Sequence, residues 1–333
     1  MTVTIGRREL LAALGGAAAA WPLAARAQQA ERMRRIGVLI GSDDNTEARV
    51  LFAEFQQALE QLGWTYGRNI QIDIRWGSDP ERIIAYAKEL VRLSPDVIFA
   101  GPTNVVVPLQ RETRSIPIVF IRVADPVGQG IVESLARPNG NVTGFSNPDF
   151  PLVGKWLQIL KDIAPSVTRV GLMVSTANVA SAYYYRSFDA LAPSLAMTPV
   201  ATPIREVTEV EHVFELLARE PNSGLVIPGD VVLEAPPVRK LIIRLAASRR
   251  LPVVFGRRPF VVDGGLVSYG VEPADLFRRA ASYVDRILKG ERPSDLPVQQ
   301  PTKFEFAINL RTARAFGLNV PMALLASADE VIE

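Results

Sequence analysis

The chain has 333 residues, 48% of them hydrophobic, and carries 37 Lys and Arg against 35 Asp and Glu. This balance lacks the basic excess of a nucleic-acid-binding protein, and the absence of cysteine excludes disulfides, thiol nucleophiles and cysteine-ligated metals. A chain of this length can bury a large core, which is usually divided between two domains.

The first 27 residues have the features of a cleaved export signal. A basic pair, Arg7-Arg8, precedes an apolar stretch that is shorter than the roughly 20 residues of a bilayer span. Ala25-Arg26-Ala27 then provides a small-x-small cleavage site, and the arginine pair resembles a twin-arginine signal. Cleavage after Ala27 takes three basic residues and one acid from the totals of 37 and 35, leaving 34 of each. We therefore predict secretion to the periplasm, by the twin-arginine or the general route, without stable membrane insertion; a helix packed on the domain is the alternative.

Beyond the signal, short β-branched runs alternate with amphipathic stretches, which is the pattern of buried parallel strands covered by helices. A first series predicts strands at 34–41, 69–76, 95–101 and 117–123, with helices at 46–62, 79–93 and 103–113. A second series predicts strands at 169–175, 197–204, 224–229 and 252–256, with helices at 179–192, 206–219 and 235–248.

The connecting and terminal segments indicate how the two series are joined. The segment 139–150 is rich in Gly, Asn and Pro and is predicted as chain near a hinge, and a helix at 272–290 precedes an extended stretch at 304–309. The fold class is therefore α/β, with two Rossmann-like lobes and mostly parallel sheets that close like a hinge around a ligand. Lobe one is predicted as 30–145 plus 270–295, and lobe two as 146–269 plus 302–333.

Ligands of such sheets bind beyond the carboxyl ends of the strands, so the strand-to-helix loops are the candidate site. The first series contributes Ser42, Asp43, Gly101, Thr103, Asn104 and Asp125, with Thr143, Gly144 and Ser146 at a predicted crossover. The second series contributes Thr176, Tyr183, Asp230, Phe255 and Arg257, with Tyr269 at another crossover.

Each residue type in this set has a predicted role in ligand binding, and some also have a purely structural alternative. Hydroxyls and free N–H groups at helix starts suit a carboxylate, and Asp230, or secondarily Asp125, suits an ammonium group. Tyr183 and Phe255 suit an aromatic wall. The alternative for each Asp or Ser at a helix start is a simple N-cap.

The usual catalytic arrangements are missing from the sequence. The one histidine, His212, lies in an amphipathic helix, and without cysteine it disfavours Ser–His triads and typical zinc sites. The chain has no P-loop and no G-x-G-x-x-G motif. We predict no catalytic residue, no metal and no cofactor; a hydrolase with Asp125 or Asp230 as its base is the alternative.

Several motifs resemble one protein family. They are SLARPNGNVTGFS (134–146), the long run 282–313, GLNVP (317–321), ADPVGQGIVESL (124–135) and GGLVSYG (264–270). They are similar to ABC-transporter substrate-binding proteins of the tryptophan/tyrosine-binding type, and the similarity covers residues 34–333.

The resemblance implies a type I periplasmic-binding architecture with three crossovers. It also implies a monomer that delivers a small solute, either an amino acid or an aromatic or other carboxylate, to an ABC permease in the inner membrane. Six residues fall on matching motif positions: Thr103, Asp125, Thr143, Gly144, Ser146 and Tyr269. The loops 174–185, 227–237 and 254–260 differ from the family pattern, and Arg257-Arg258 is unexpected unless a ligand carboxylate meets it. A ligand-sensing module of a signalling receptor is the alternative function of the same fold.

Overall fold

The computed structural model describes residues 33–147, 149–178 and 180–333. The predicted export signal, residues 1–27, lies outside the described residues. Among the helices that the structure describes, none is long and apolar enough to cross a membrane.

The first sheet consists of five parallel strands. They are β1 (Arg34–Ile40), β2 (Ile70–Trp76), β3 (Val97–Gly101), β4 (Ile118–Ala124) and β5 (Val142–Asn147). Their order across the sheet is β2-β1-β3-β4-β5. In the centre of the sheet, Ile36 of β1 lies opposite Val97 of β3. The β-branched runs of these strands are buried because helices cover both faces of the sheet.

Three helices follow the first three strands, and the first two begin at side-chain caps. They are α1 (Thr46–Gln61), α2 (Pro80–Arg92) and α3 (Thr103–Glu112). The Asn45 side chain accepts a hydrogen bond from the backbone N–H of Ala48, and the Asp79 side chain accepts one from Arg82. Each cap satisfies one backbone donor of the first helical turn, and the helix starts are therefore encoded locally.

The second sheet has seven strands, of which one pair is antiparallel. They are β6 (Arg169–Ser175), β7 (Thr198–Ile204), β8 (Ser223–Ile227), β9 (Val253–Phe255), β10 (Val267–Val271), β11 (Phe304–Asn309) and β12 (Glu330–Ile332). The order is β12-β11-β10-β9-β8-β6-β7. Only the β10–β11 pair runs antiparallel among the pairs described in this sheet. The predicted mostly parallel architecture is confirmed.

The remaining described helices cover the second sheet, with one exception. They are α4 (Asp149–Ile163), α5 (Ser181–Leu191), α6 (Val210–Ala218), α7 (Val231–Glu234), α8 (Pro236–Arg249), α9 (Arg258–Val262), α10 (Pro273–Leu288), α11 (Leu310–Phe316) and α12 (Met322–Ser327). The exception is α10, which packs on α1 of the first sheet. There the indole N–H of Trp64 donates to Asp285 at 2.8 Å, and Phe277 meets Phe99 edge to face.

The chain crosses between the two sheets three times, as the type I architecture requires. The crossings follow β5, β10 and α10, and they lie side by side. The backbone N–H of Ser146 donates to Gln299 at 2.9 Å, and the N–H of Gln299 donates to Gly144 at 3.0 Å. The N–H of Glu272 donates to Lys303 at 3.2 Å. These bonds tie the crossing segments into one connection between the sheets.

The segment 139–150, predicted as chain near a hinge, contains β5, a buried edge strand of the first sheet, after which the chain first crosses to the second sheet. The segment 268–270 lies within β10. β5 runs to Asn147 and β10 to Val271, each two residues beyond the predicted lobe boundaries.

Candidate functional site

The two sheets meet at the carboxyl ends of their parallel strands. Glu47, in the first turn of α1, pairs with Arg239 of α8 at 2.7 Å. Arg122 of β4 pairs with Glu234, the last residue of α7, at 3.6 Å. This geometry forms a cleft at the edge where open α/β sheets bind ligands.

Three charged residues form what we call the cleft cluster: Arg122, Glu234 and Arg257. The Nε atom of Arg257 lies 3.5 Å from Glu234 Oε2, the same oxygen that faces Arg122. Both contacts are longer than a normal charge-assisted hydrogen bond. Within the described part of the chain, Arg257 Nε and Glu234 Oε1 are buried and have no hydrogen-bond partner. The cluster therefore contains one open donor and one open acceptor between the sheets.

Arg122 reaches the cluster through an irregularity in its strand. The register of β4 with β5 shifts between Ile121 and Val123, and Arg122 has a φ of 57°. Side chains other than glycine rarely adopt this conformation, and a bulge redirects the side chain of the extra residue. The bulge lies at the position from which Arg122 contacts the second sheet.

The second contact between the sheets is centred on Arg239, whose side chain is only 6% exposed. Its guanidinium donates to Asp263 at 2.7 Å on its own side and to Glu47 at 2.7 Å across the cleft. Burial lowers the pKa of Arg239, but the hydrogen bonds to Glu47 and Asp263 outweigh burial, and the pKa is raised. The cation is therefore firmly charged, and one of its two carboxylate partners belongs to the other sheet.

The predicted residues near β1 and β3 gather at one edge of the first sheet. Ser42 is half-buried, Asp43 is exposed and accepts a hydrogen bond from Ser78, and Asn104 is exposed. Thr103 is buried, and its hydroxyl oxygen accepts from the N–H of Ala124 at 3.2 Å. Gly101 allows a close approach, because a Cβ there would lie 2.6 Å from the carbonyl oxygen of Ile121. Ligand contact by these five residues stays a prediction.

Of the predicted residues near β4 and β5, Asp125, Thr143 and Gly144 make structural contacts, and Ser146 has a buried hydroxyl without a described partner. Asp125 accepts from the N–H of Gly128 at 2.9 Å and shapes a turn. The hydroxyl of Thr143 donates to the carbonyl of Leu296 at 2.6 Å and so holds a crossing segment, and its ligand contact stays a prediction. Gly144 is required by the close approach of β4. Ser146 is buried, and its hydroxyl has no partner among the described residues.

In the second sheet, Asp230 is a helix cap and Phe255 is a core residue, and ligand contact by either stays a prediction. The Asp230 carboxylate accepts from the backbone N–H groups of Ser175, Val232 and Leu233 and from the Asn178 amide. Burial raises the pKa of Asp230, and these donors pull it back only in part. The carboxylate therefore accepts hydrogen bonds from four protein donors. Phe255 is fully buried and stacked on Phe260.

The other predicted residues of the second sheet differ in their solvent exposure and in the side chains they contact. Thr176 is exposed after β6, and Tyr183 is half-buried on α5. Tyr269 stacks on Phe304 with ring centres 5.7 Å apart, and burial raises the pKa of its hydroxyl. Arg257 is the member of the predicted set that the structure brings into the cleft cluster.

The predicted set omitted Arg122, Glu234, Glu47 and Arg239. Arg122 lies at the irregularity of β4, where no sequence motif marks it. Glu234 follows a capping Asp in a short helix, and Arg239 lies on the buried face of α8. Only the pairing across the cleft identifies them, and no local motif carries that information.

The arrangement is suited to holding a charged ligand, and the described residues give no sign of metal chemistry. No group of three or more His, Asp or Glu residues that could hold a metal ion occurs among them. Asp125 and Asp230, the carboxylates considered as catalytic bases, both accept hydrogen bonds from backbone donors. The cleft cluster, in contrast, presents guanidinium groups from both sheets toward one point.

Comparisons with known proteins agree on one family. The family described as ABC transporter substrate binding protein matches residues 43–332. A tyrosine-binding protein of Clostridioides difficile (strain R20291) is 27% identical over 265 residues, which cover 79% of this chain and 75% of that protein.

Two solved structures share the fold over nearly the whole chain. A conserved domain protein from Vibrio cholerae O1 biovar El Tor has a TM-score of 0.82 at 24% identity, covering 90% of this chain and 100% of that chain. An ABC domain from Streptococcus pneumoniae in complex with L-Trp has a TM-score of 0.81 at 23% identity, covering 90% and 99%.

Proposed function

The chain belongs to the family of ABC transporter substrate-binding proteins, and from this premise we propose that it captures a small carboxylate-bearing solute in the cleft. The solute is an amino acid or an aromatic or other carboxylate compound. In this proposal the protein is a monomer exported to the periplasm, with no catalytic role, and it delivers the solute to an ABC permease of the inner membrane.

The observation that carries the proposal is the cleft cluster. Arg122 comes from the first sheet and Arg257 from the second, and the buried Nε of Arg257 has no hydrogen-bond partner among the described residues. A guanidinium donor of this kind forms strong hydrogen bonds with a carboxylate. The tyrosine-binding relative and the L-Trp complex support a carboxylate-bearing solute, since both amino acids carry that group.

Hinge closure gives this site its function. We propose that residues 30–145 plus 270–295 and residues 146–269 plus 302–333 move as two lobes about the three crossings. A solute that contacts both lobes binds the closed form better than the open form and shifts the population toward closure. The permease then recognises the closed shape.

Native mass spectrometry and thermal unfolding test the proposal. The protein as purified should carry a bound small molecule, or should gain stability when a panel of amino acids, aromatic acids and other carboxylates is added. A ligand at about 100 times its Kd stabilises by roughly 2.7 kcal/mol, which corresponds to a rise in melting temperature of several degrees. No bound mass and no shift with any compound would overturn the proposed function.

A further inference from the structure

One carboxylate oxygen of the cleft cluster lies between guanidinium groups from both sheets. Glu234 Oε2 is 3.6 Å from Arg122, which belongs to β4, and 3.5 Å from Nε of Arg257, which follows β9. A solute carboxylate that contacts both sheets at these two arginines needs the same position. Because two carboxylates in one place repel each other and overlap, Glu234 and the solute carboxylate exclude each other from it.

The contacts of Glu234 with the two arginines are looser than the contact of Glu47 with Arg239, which also joins the sheets. The guanidinium of Arg239 donates to Glu47 at 2.7 Å. The distances of 3.5 and 3.6 Å at Glu234 exceed the roughly 2.7–2.9 Å of a charge-assisted hydrogen bond. The buried Nε of Arg257 therefore has no hydrogen-bond partner among the described residues. A solute carboxylate that accepts from this Nε gains an interaction that Glu234 does not make, which favours the displacement of Glu234.

The backbone of Glu234 is held in place, while its side chain is partly exposed to solvent. Glu234 is the last residue of α7, its N–H donates to the carbonyl of Asp230 at 2.8 Å, and its carbonyl accepts from Arg239 at 3.2 Å. The side chain of Glu234 is 20% exposed, and its Oε1 has no hydrogen-bond partner in the described chain. A change of side-chain rotamer is therefore enough to withdraw the carboxylate from the arginines without moving α7.

From this geometry we infer that Glu234 is an affinity-determining residue that competes with the solute. Its carboxylate takes the position of the solute carboxylate between the sheets and is displaced when the solute binds. This inference rests on the proposed function, because it requires a solute carboxylate that binds at Arg257. In the solute-free protein Glu234 links the two sheets through Arg122, and in the complex the solute does so. Glu234 lowers the affinity, because only those molecules in which it is withdrawn bind the solute.

Substitution of Glu234 tests the inference by isothermal titration calorimetry with the purified protein. The probes are L-tryptophan and indole-3-propanoate, which share an indole ring and a carboxylate and differ in the α-ammonium group. Glu234→Gln removes the competing charge and keeps the size of the side chain. We expect this variant to bind the probes about three- to tenfold more tightly than the unchanged protein does.

Two further variants separate competition from a general effect of charge. Glu234→Asp keeps the charge but shortens the side chain by one methylene, which withdraws the carboxylate from both arginines. It should therefore also bind the probes more tightly, by about twofold or more. Glu47→Gln removes the same charge from the Glu47–Arg239 pair. It should leave the affinity unchanged or lower it by up to about fivefold, because that pair favours closure and lies outside the cleft cluster. Circular dichroism and melting curves confirm that each variant is folded.

The outcomes separate the inference from the proposed function. Equal or weaker binding of a probe to Glu234→Gln overturns the inference and leaves the proposed function in place; a loss limited to L-tryptophan would assign Glu234 to its ammonium group instead. A gain of the same size in Glu47→Gln, or no gain in Glu234→Asp, overturns the inference as well, because charge alone would then explain the change. If no variant binds either probe, the inference is overturned, and the proposed function fails only when no other solute of the panel binds.

Discussion

At the scale of single residues, Gly144 shows how one position makes an edge strand possible. A Cβ at Gly144 would lie against the carbonyl of Phe120 and 2.6 Å from its backbone nitrogen. No side chain fits at this approach between β5 and β4. The resemblance placed Gly144 in the ligand set, whereas the structure gives it a role in strand pairing.

Gly144→Ala should therefore destabilise the fold strongly. Two backbones must separate to admit one methyl group, and we expect a loss of about 3 kcal/mol or more in the free energy of unfolding. Urea denaturation measures the loss. Gly140→Ala is the matched control, because Gly140 also has a positive φ of 67° but has open space around it; it should cost about 1 kcal/mol. Equal losses of unfolding free energy in the two variants would show that the close approach of β4 to Gly144 is not the cause.

At the scale of elements, the sequence predicts those helices and strands that local chemistry specifies. The buried β-branched runs of β1, β3 and β4 and the helices α1 and α2 were predicted to within a few residues of their observed positions. β5 was not predicted, because its Asn- and Gly-rich sequence has little strand propensity and its pairing with β4 depends on tertiary contact. Local sequence patterns do not encode such tertiary contacts.

Asp230 is a second element-scale feature, since one carboxylate joins the start of α7 to the loop after β6. Asp230→Ala leaves the buried N–H groups of Ser175 and Leu233 without this acceptor. We expect a loss of about 2–4 kcal/mol in unfolding free energy. Asn45→Ala, which removes a single cap bond at α1, is the control and should cost about 1 kcal/mol. A loss for Asp230→Ala no larger than that of the control contradicts this role.

At the scale of the whole molecule, charges of one sheet are matched to charges of the other. Arg122 and Glu234, and likewise Glu47 and Arg239, lie far apart in the sequence and come together only because the two sheets face each other. For this reason the sequence located the cleft at the strand ends but not the cluster within it. In the proposed hinge closure, ion pairs between the sheets favour the closed arrangement and are lost when the cleft opens.

Glu47→Gln should shift the unliganded protein toward the open form. Because Glu47 is 53% exposed, the pair with Arg239 contributes only about 0.5–1 kcal/mol, or a two- to fivefold change in the open-to-closed ratio. Glu54→Gln is the matched control on the same helix, since Glu54 pairs with Arg278 of α10 on the same side of the cleft. The ratio is measured from distances between spin labels on α1 and α8. A shift of equal size in both variants would contradict the role of the Glu47–Arg239 pair in holding the cleft closed.

The same distance measurement tests most directly whether the protein captures a solute by closure. The chain has no cysteine, so two introduced cysteines, at the exposed positions Val50 of α1 and Arg244 of α8, take labels without interference. Indole-3-propanoate and L-tryptophan are each added at saturating concentration. The account predicts that at least one of them shortens and narrows the distance distribution between the labels. A distribution that neither compound changes, in a protein whose labelled form is folded, would contradict it.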